Sequence, residues 1–245
     1  MVSSSSSRCF SLLSLMVLMT ALVLFVLPIP AHAQNIEWTR NIGTNLDDEL
    51  TAVAVSPSAI YFTGDTRGTF PGQSRVGTND HDGFVGAYDK LGNPLWIRQF
   101  GSATGERDAG TGVAADSTGI YVTGWTDGAL PGQTSTGSTD SFVRKYDLNG
   151  SELWTRQFGT SGLDQALGVA ADATGIYVVG FVGSSLALPG STSLGGDDAF
   201  VRKYDTNGNI LWTRQFGTGD GDKAFGVALD ATGIYVSGYT IGSLA

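Results

Sequence analysis

Cysteine is almost missing from this 245-residue chain: the only one is Cys9, so no disulfide can form within it. Histidine is nearly as scarce, with His32 and His81 alone. That excludes a zinc centre of two or three histidines beyond residue 33 and leaves a Ser-His-Asp triad a single foothold, the stretch NDHDG at 79–83. The plain reading of that stretch is a polar loop ahead of a strand. Asp80, Asp82 and Gly83 faintly resemble a calcium loop, but the acidic ligand due at the far end is Asp89, which a turn already needs. Basic residues are few, 14 against 23 acidic ones for a net charge of −9. Nucleic acid and anionic lipid both demand a basic face, so neither is expected as a partner. No phosphate loop or dinucleotide fingerprint is present, and no sustained helical period either: LDQALGVAADA at 163–173 is interrupted by Gly168.

One long apolar run stands out, LLSLMVLMTALVLFVL at 12–27, preceded by Arg8 and followed by PIPAHAQ. A basic start, an apolar middle and the small-residue box Ala31-His32-Ala33 read as a secretory signal cut before Gln34. An uncleaved anchor is the alternative, since about 17 to 25 apolar residues span a bilayer; Pro28 and Pro30 directly before the box favour cleavage. The expectation is a secreted or surface-displayed bacterial protein with residues 34–245 as one domain, cysteine-free and held by packing alone.

Within that domain glycine is abundant, and valine, tyrosine, phenylalanine and threonine recur in short runs, the composition of many short strands joined by tight turns. Trp38, Trp96, Trp154 and Trp212 are spaced every 58 residues. Four segments recur in each period. They are Gly-Val-Ala (112–114, 168–170, 226–228, with AVAV at 52–55), a GIYVTG-like segment (59–64, 119–124, 175–180, 233–238), an FVRKYD-like segment (83–89, 141–147, 199–205) and LWTRQFG. Four β-prone segments per repeat make a propeller blade, with strands a to d from the axis outward. Small Gly-Val-Ala suits the crowded inner strand and Trp-x-Arg-x-Phe the outer one. DSTG and DATG are expected to turn a into b, and DLNG and DTNG to turn c into d. The fold class expected is an all-β propeller of three full blades and a partial fourth. NIEWTRNIG at 35–43 is an outer strand without its own blade, and the last repeat holds only strands a and b. Exposed blade faces at both ends predict self-association or marginal stability, unless the partial blades close on themselves.

All length variation falls in the d–a and b–c connections, which emerge on one face, where function usually lies on a rigid scaffold. One position just after strand b breaks the repetition: Asp65, Trp125, Phe181 and Tyr239. Trp125, Phe181 and Tyr239 are therefore the candidate ligand platforms, with Trp125 the first choice for stacking on a sugar or a protein; the alternative is an aromatic buried in blade packing. An aspartate also stands thirteen residues before each IY tyrosine: Asp48, Asp108, Asp164 and Asp222. As a ring at the channel mouth they would be a metal site of the kind that holds Ca²⁺; as repeat architecture each would cap N–H groups of its own loop. Asp82, Asp140 and Asp198 read as loop caps too. Arginines interleaved with aromatics on strands c and d (Arg98, Arg144, Arg156, Arg202, Arg214) are expected to stack between blades.

Through GIYVTG, FVRKYD and LWTRQFG the chain, from about Trp38 to Ala245, resembles the SBBP-type bacterial secreted β-propeller repeat family. The resemblance implies export and a propeller, and the family name implies seven blades. It brings no catalytic motif that can be carried over to these residues. The function expected is a non-enzymatic extracellular binding or scaffold module, its loop face meeting a protein or a glycan. The rivals are a structural surface-array protein without ligand and a secreted polysaccharide hydrolase or lyase, which would need paired carboxylates in a cleft.

Overall fold

Alternation of β-branched or aromatic residues with small ones, cut every few residues by Asp-x-Asn-Gly or Asp-x-Thr-Gly, leaves the chain little choice but short antiparallel strands. The computed structural model describes residues 37–77, 81–104, 107–183 and 185–243, and the expected signal segment lies outside them. Residues Trp38–Ala245 form one unit. It is all-β, and no helix occurs among the described residues. Blade 1 comprises β1 (Asp48–Val55), β2 (Ala59–Thr66), β3 (Asp82–Asp89) and β4 (Pro94–Phe100). Blade 2 comprises β5 (Asp108–Asp116), β6 (Gly119–Thr126), β7 (Asp140–Tyr146) and β8 (Glu152–Phe158). Blade 3 comprises β9 (Asp164–Asp172), β10 (Gly175–Val182), β11 (Asp198–Tyr204) and β12 (Ile210–Phe216). The fourth blade has two strands, β13 (Asp222–Leu229) and β14 (Ile234–Thr240). Each sheet runs in chain order and antiparallel. Strand β1 adjoins β5, β5 adjoins β9 and β9 adjoins β13, so the first strand of every blade is the inner one.

The turns form as their residues dictate. Asp116 Oδ1 accepts the N–H groups of Thr118 at 2.6 Å and Gly119 at 3.1 Å between strands a and b. Asp147 Oδ1 accepts those of Asn149 and Ser151 at 2.9 and 2.8 Å between c and d. Glycine is obligatory in the second turn for two reasons. Gly92, Gly150 and Gly208 all have φ +79°, and a Cβ there would lie 2.6 to 3.0 Å from the indole of Trp38, Trp96 or Trp154.

That contact is the clasp between blades. Trp96 Nε1 donates to Leu148 O at 3.1 Å and Arg98 Nε to Gly150 O at 2.9 Å; Trp154 and Arg156 repeat both bonds on Thr206 O and Gly208 O. The segment from Trp38 to Ile42 is not a sheet strand, yet Trp38 and Arg40 clasp Lys90 O and Gly92 O in the same way. It seats on blade 1 as β4 seats on blade 2 and β8 on blade 3. Arg98, Arg156 and Arg214 stack on Trp96, Trp154 and Trp212, while buried Arg144 and Arg202 lie 4.7 and 4.1 Å from the Phe100 and Phe158 rings.

Between blades 1 and 2 the core is Tyr61, Val85, Ala87 and Phe100 against Val113, Ile120, Val122, Leu130 and Phe142. Blades 2 and 3 repeat it with Tyr121 and Val143 against Ile176, Val178, Leu188 and Phe200. One feature of the inner strands goes unsignalled by the repeat alone. Each carries a β-bulge just before its Gly-Val-Ala segment, leaving Thr51, Thr111, Leu167 and Phe225 as the extra residue.

Candidate functional site

The bulge residues project toward the axis and border a hollow of about 530 Å³, lined by Thr51, Thr111, Leu167 and Phe225 together with Gln165, Phe181, Lys223 and Tyr239. The two threonine hydroxyls span blades: Thr51 Oγ1 donates to Gly110 O at 2.5 Å and Thr111 Oγ1 to Ala166 O at 2.7 Å. In blades 3 and 4 the same position is Leu167 and Phe225, which cannot donate. The hollow is thus hydroxyl-lined on one side and apolar on the other. Its character comes from a position where the repeats disagree, and the signal in the sequence was that disagreement ahead of Gly-Val-Ala.

The three aromatic candidates fare differently. Tyr239 is exposed beside Phe225, ring centroids 5.7 Å apart, at the rim of the hollow. Phe181 borders it but is only 3% exposed, with Lys223 Nζ 3.6 Å above its ring and held there by Asp197 at 3.1 Å. It cannot be a stacking platform, because the next blade's lysine already covers it. Trp125 lies half-buried outside the hollow with the Arg107 guanidinium 5.3 Å from its ring. Asp65, the odd member of that set, is buried and bonded to His81 Nδ1, and Arg107 lies 3.5 Å from the same carboxylate. Two departures from the repeat, Asp65 and His81, prove to be partners across strands b and c.

The four repeat aspartates are not brought together into a ring. Each accepts N–H from a residue of the loop just before it, four positions earlier in three copies and six in the other: Thr44 on Asp48 at 2.6 Å, Ser102 on Asp108 at 2.8 Å, Thr160 on Asp164 and Thr218 on Asp222 at 2.5 Å. Hydroxyls of Thr66 and Thr126 close the second oxygen of Asp48 and Asp108. Among the described residues no three His, Cys, Asp or Glu side chains form a metal-binding group. What the fold does bring together is pairs. Asp82, Asp140 and Asp198 hold the b–c loops through Val76, Thr136 and Leu194 N–H, each also accepting from the Gln of its own strand d, Gln99, Gln157 or Gln215. These converge on the repeat aspartate of the following blade around Gly101, Gly159 and Gly217, where a Cβ would come within 3.1 Å of both carboxylates. Blade 3 is the least satisfied. Val182 stands where blades 1 and 2 have Thr66 and Thr126, leaving Asp164 Oδ1 without a partner, and Leu194 replaces Thr136, leaving Asp198 Oδ1 so.

Burial pushes the Asp108 carboxyl above its ordinary value of 3.8; bonds from Thr126 and Ser102 pull it back in part, and the neighbouring Asp82 charge raises it again. Burial likewise raises Asp82 and Asp164. These groups hold protons to higher pH in the native than in the unfolded state, so they make stability fall as pH rises from 3.8 through the raised native values. Exposed turn aspartates act oppositely. Asn209 lowers Asp205, and the Ser151 N–H lowers Asp147, so their contribution is present above 3.8 and lost as pH falls through their native values. The expected thermal midpoint therefore climbs as pH falls through the raised native values toward 3.8 and drops below 3.8, with a shallower climb in Asp164→Asn. Scanning calorimetry across that range checks it; a midpoint that only falls on acidification contradicts it.

Residues 95–131 match the SBBP beta-propeller repeat. The repeat unit at 95–131 is of the SBBP type. The matched SBBP unit runs from the outer strand β4 across the clasp through β5 and β6, so it straddles two blades. Among curated proteins the chain is 28% identical over 204 residues to regulatory protein FlaEY of Caulobacter vibrioides, covering 76% of this chain and 21% of that protein. It is 27% identical over 160 residues to the uncharacterized WD repeat-containing protein L264 of Acanthamoeba polyphaga mimivirus, covering 55% of this chain and 12% of that one. Among solved structures, a protein of unknown function from Bacteroides caccae aligns with a TM-score of 0.41 at 14% identity, covering 76% of this chain and 51% of that chain.

Proposed function

We propose that this propeller module works outside the cell as a non-enzymatic binding or scaffold domain, taking a glycan into its axial hollow at the loop face. The observation that carries the reading is the lining of that hollow. Phe225 and Tyr239 offer apolar ring faces to the C–H face of a sugar. Across from them, Thr51 and Thr111 have given their protons to backbone carbonyls and keep lone pairs for sugar hydroxyls. Gln165 and Lys223 add donors at the same surface. The lining holds no carboxylate, and the acidic pairs are engaged by loop N–H groups and glutamine amides, which favours binding over hydrolysis. Export follows the same proposal: intact-mass measurement of secreted protein should show the loss of residues 1–33.

A glycan array probed with the purified chain is the test, followed by titration of the strongest ligand. Phe225→Ala should weaken binding about tenfold, the worth of one ring contact, without lowering the thermal midpoint, because Phe225 is half-exposed. No glycan above background, or a variant that binds like the parent, overturns the reading.

A further inference from the structure

Four residues that depart from the repeat meet at the loop face where blade 1 borders blade 2. Asp65 and Trp125 stand near the ends of β2 and β6, His81 just before β3 and Arg107 just before β5. The backbone fixes the corner: His81 and Arg107 form a parallel bridge, the Asp108 N–H donates to His81 O at 2.8 Å and the Asp127 N–H to Arg107 O at 3.0 Å. Blades 2 and 3 meet in the same frame, with Thr139 bridged to Leu163, the Asp164 N–H on Thr139 O at 2.9 Å and the Gly183 N–H on Leu163 O at 2.8 Å. There the four counterparts are Trp125, Thr139, Leu163 and Phe181, none of them charged. The frame therefore forms without an acid, an imidazole or a guanidinium, and the first corner carries all three.

Arg107 also differs from the arginines that build the blades. Arg40, Arg98 and Arg156 give Nε to turn carbonyls, and Arg144 and Arg202 give theirs to the hydroxyls of Thr155 and Thr213, all at 2.8 to 2.9 Å. Arg107 Nε is buried and has no acceptor among the described residues. Its Nη2 lies 3.5 Å from Asp65 Oδ2, beyond the reach of about 2.7 to 3.2 Å of a formed N–H···O bond. The Trp125 ring carries the guanidinium at 5.3 Å. The Asp65 side chain is only 2% exposed and already bonded to His81 Nδ1, whereas 40% of the Arg107 side chain faces solvent. An indole and a buried carboxylate thus orient an arginine whose donors the fold leaves largely unspent.

We propose that Arg107, carried on Trp125, recognises the carboxylate of an acidic glycan, the acid group of a uronic acid residue. The planar fork of a guanidinium matches a carboxylate at two points, and an indole beside it offers the sugar ring an apolar contact. A peptide is the less suited source of that carboxylate. Strands β2 and β6 are each paired on both sides, to β1 and β3 and to β5 and β7, so the corner presents no strand edge to an extended backbone. The site builds on the glycan reading above but uses none of the residues that line the hollow.

Calorimetric titration of the purified chain with oligogalacturonate, with its uncharged methyl ester and with oligoglutamate provides the test. The parent should hold the acid form about tenfold or more tighter than the ester, the worth of one charge-assisted contact, and added salt should shrink that advantage. Arg107→Leu, which installs the residue type found at Leu163, should bind acid and ester alike with an unchanged thermal midpoint. Arg107→Lys should keep part of the preference, since the charge stays and the fork is lost. A parent that makes no distinction between acid and ester, an Arg107→Leu chain that still prefers the acid, or oligoglutamate held as tightly as oligogalacturonate each overturns the proposal. Phe225→Ala, read with a neutral glycan, reports on the hollow alone, so failure of either site is seen apart from the other.

Discussion

Phe142→Ala should lower the stability of the module by about 3 to 5 kcal/mol, the range for emptying a buried aromatic site. In a domain of this size that is a fall of about 10 °C in thermal midpoint. Phe142 has no exposed surface and lies between blades 1 and 2, edge-on to Phe100 at 5.5 Å and among Val85, Val113 and Val122. Its ring also fills the space that a side chain at Gly124 would need, since a Cβ there would come within 2.8 Å of it. The hole left by alanine is bordered by strands of two sheets, each fixed by its own hydrogen-bond ladder, so it cannot close by collapse. Phe142→Leu should cost roughly half as much, because most of the volume remains. Chemical denaturation with unchanged slope is the measurement; a loss below about 1 kcal/mol for alanine would show that the blades slide to fill the gap.

A loss nearly as large, about 3 kcal/mol, is expected for Asp140→Ala. Its carboxylate is fully buried and accepts three bonds at once, from the Thr136 N–H at 2.8 Å, the Thr136 hydroxyl, and Gln157 Nε2 at 2.8 Å. Alanine leaves those donors without an acceptor in a dry site, and unmet buried donors cost about 1 to 3 kcal/mol apiece before relaxation. Asp140→Asn is the discriminating control. Its carbonyl oxygen can still take the Thr136 N–H and the Gln157 amide, while its NH₂ can donate to the Thr136 hydroxyl, so most of the stability should return. Hydrogen exchange adds a functional readout: in Asp140→Ala protection should be lost first at Thr136 and Gln133, the b–c connection that Gln133 pins through Gln157 N–H at 3.0 Å. If asparagine and alanine are equally harmful, negative charge rather than hydrogen bonding is what the site requires.

The inner-to-outer strand order, the hairpin turns, the blade count and the single face that carries all loop variation were legible in the amino-acid order. Each rests on local chemistry repeated in register: Asp and Gly set a turn wherever they fall, and a tryptophan every 58 residues marks one outer strand per blade. Periodicity could also tell which residues are architecture, since the counterparts of Asp108 and Asp140 accept a loop N–H in every copy. It could not tell what a residue that departs from the repeat does. Phe181 and Tyr239 share one position, yet the first lies under Lys223 of the following blade and the second is exposed. Asp65 and His81, sixteen residues apart, are partners only because strands b and c pair with Thr66 opposite Asp82. The bulge that turns Thr51, Thr111, Leu167 and Phe225 toward the axis is a register event between strands, set when the inner strand must bend to pack against its neighbour. Sequence determined the blade, whose contacts are local; tertiary structure decided the site, because a site in a propeller is made where one blade's exceptions meet those of the next.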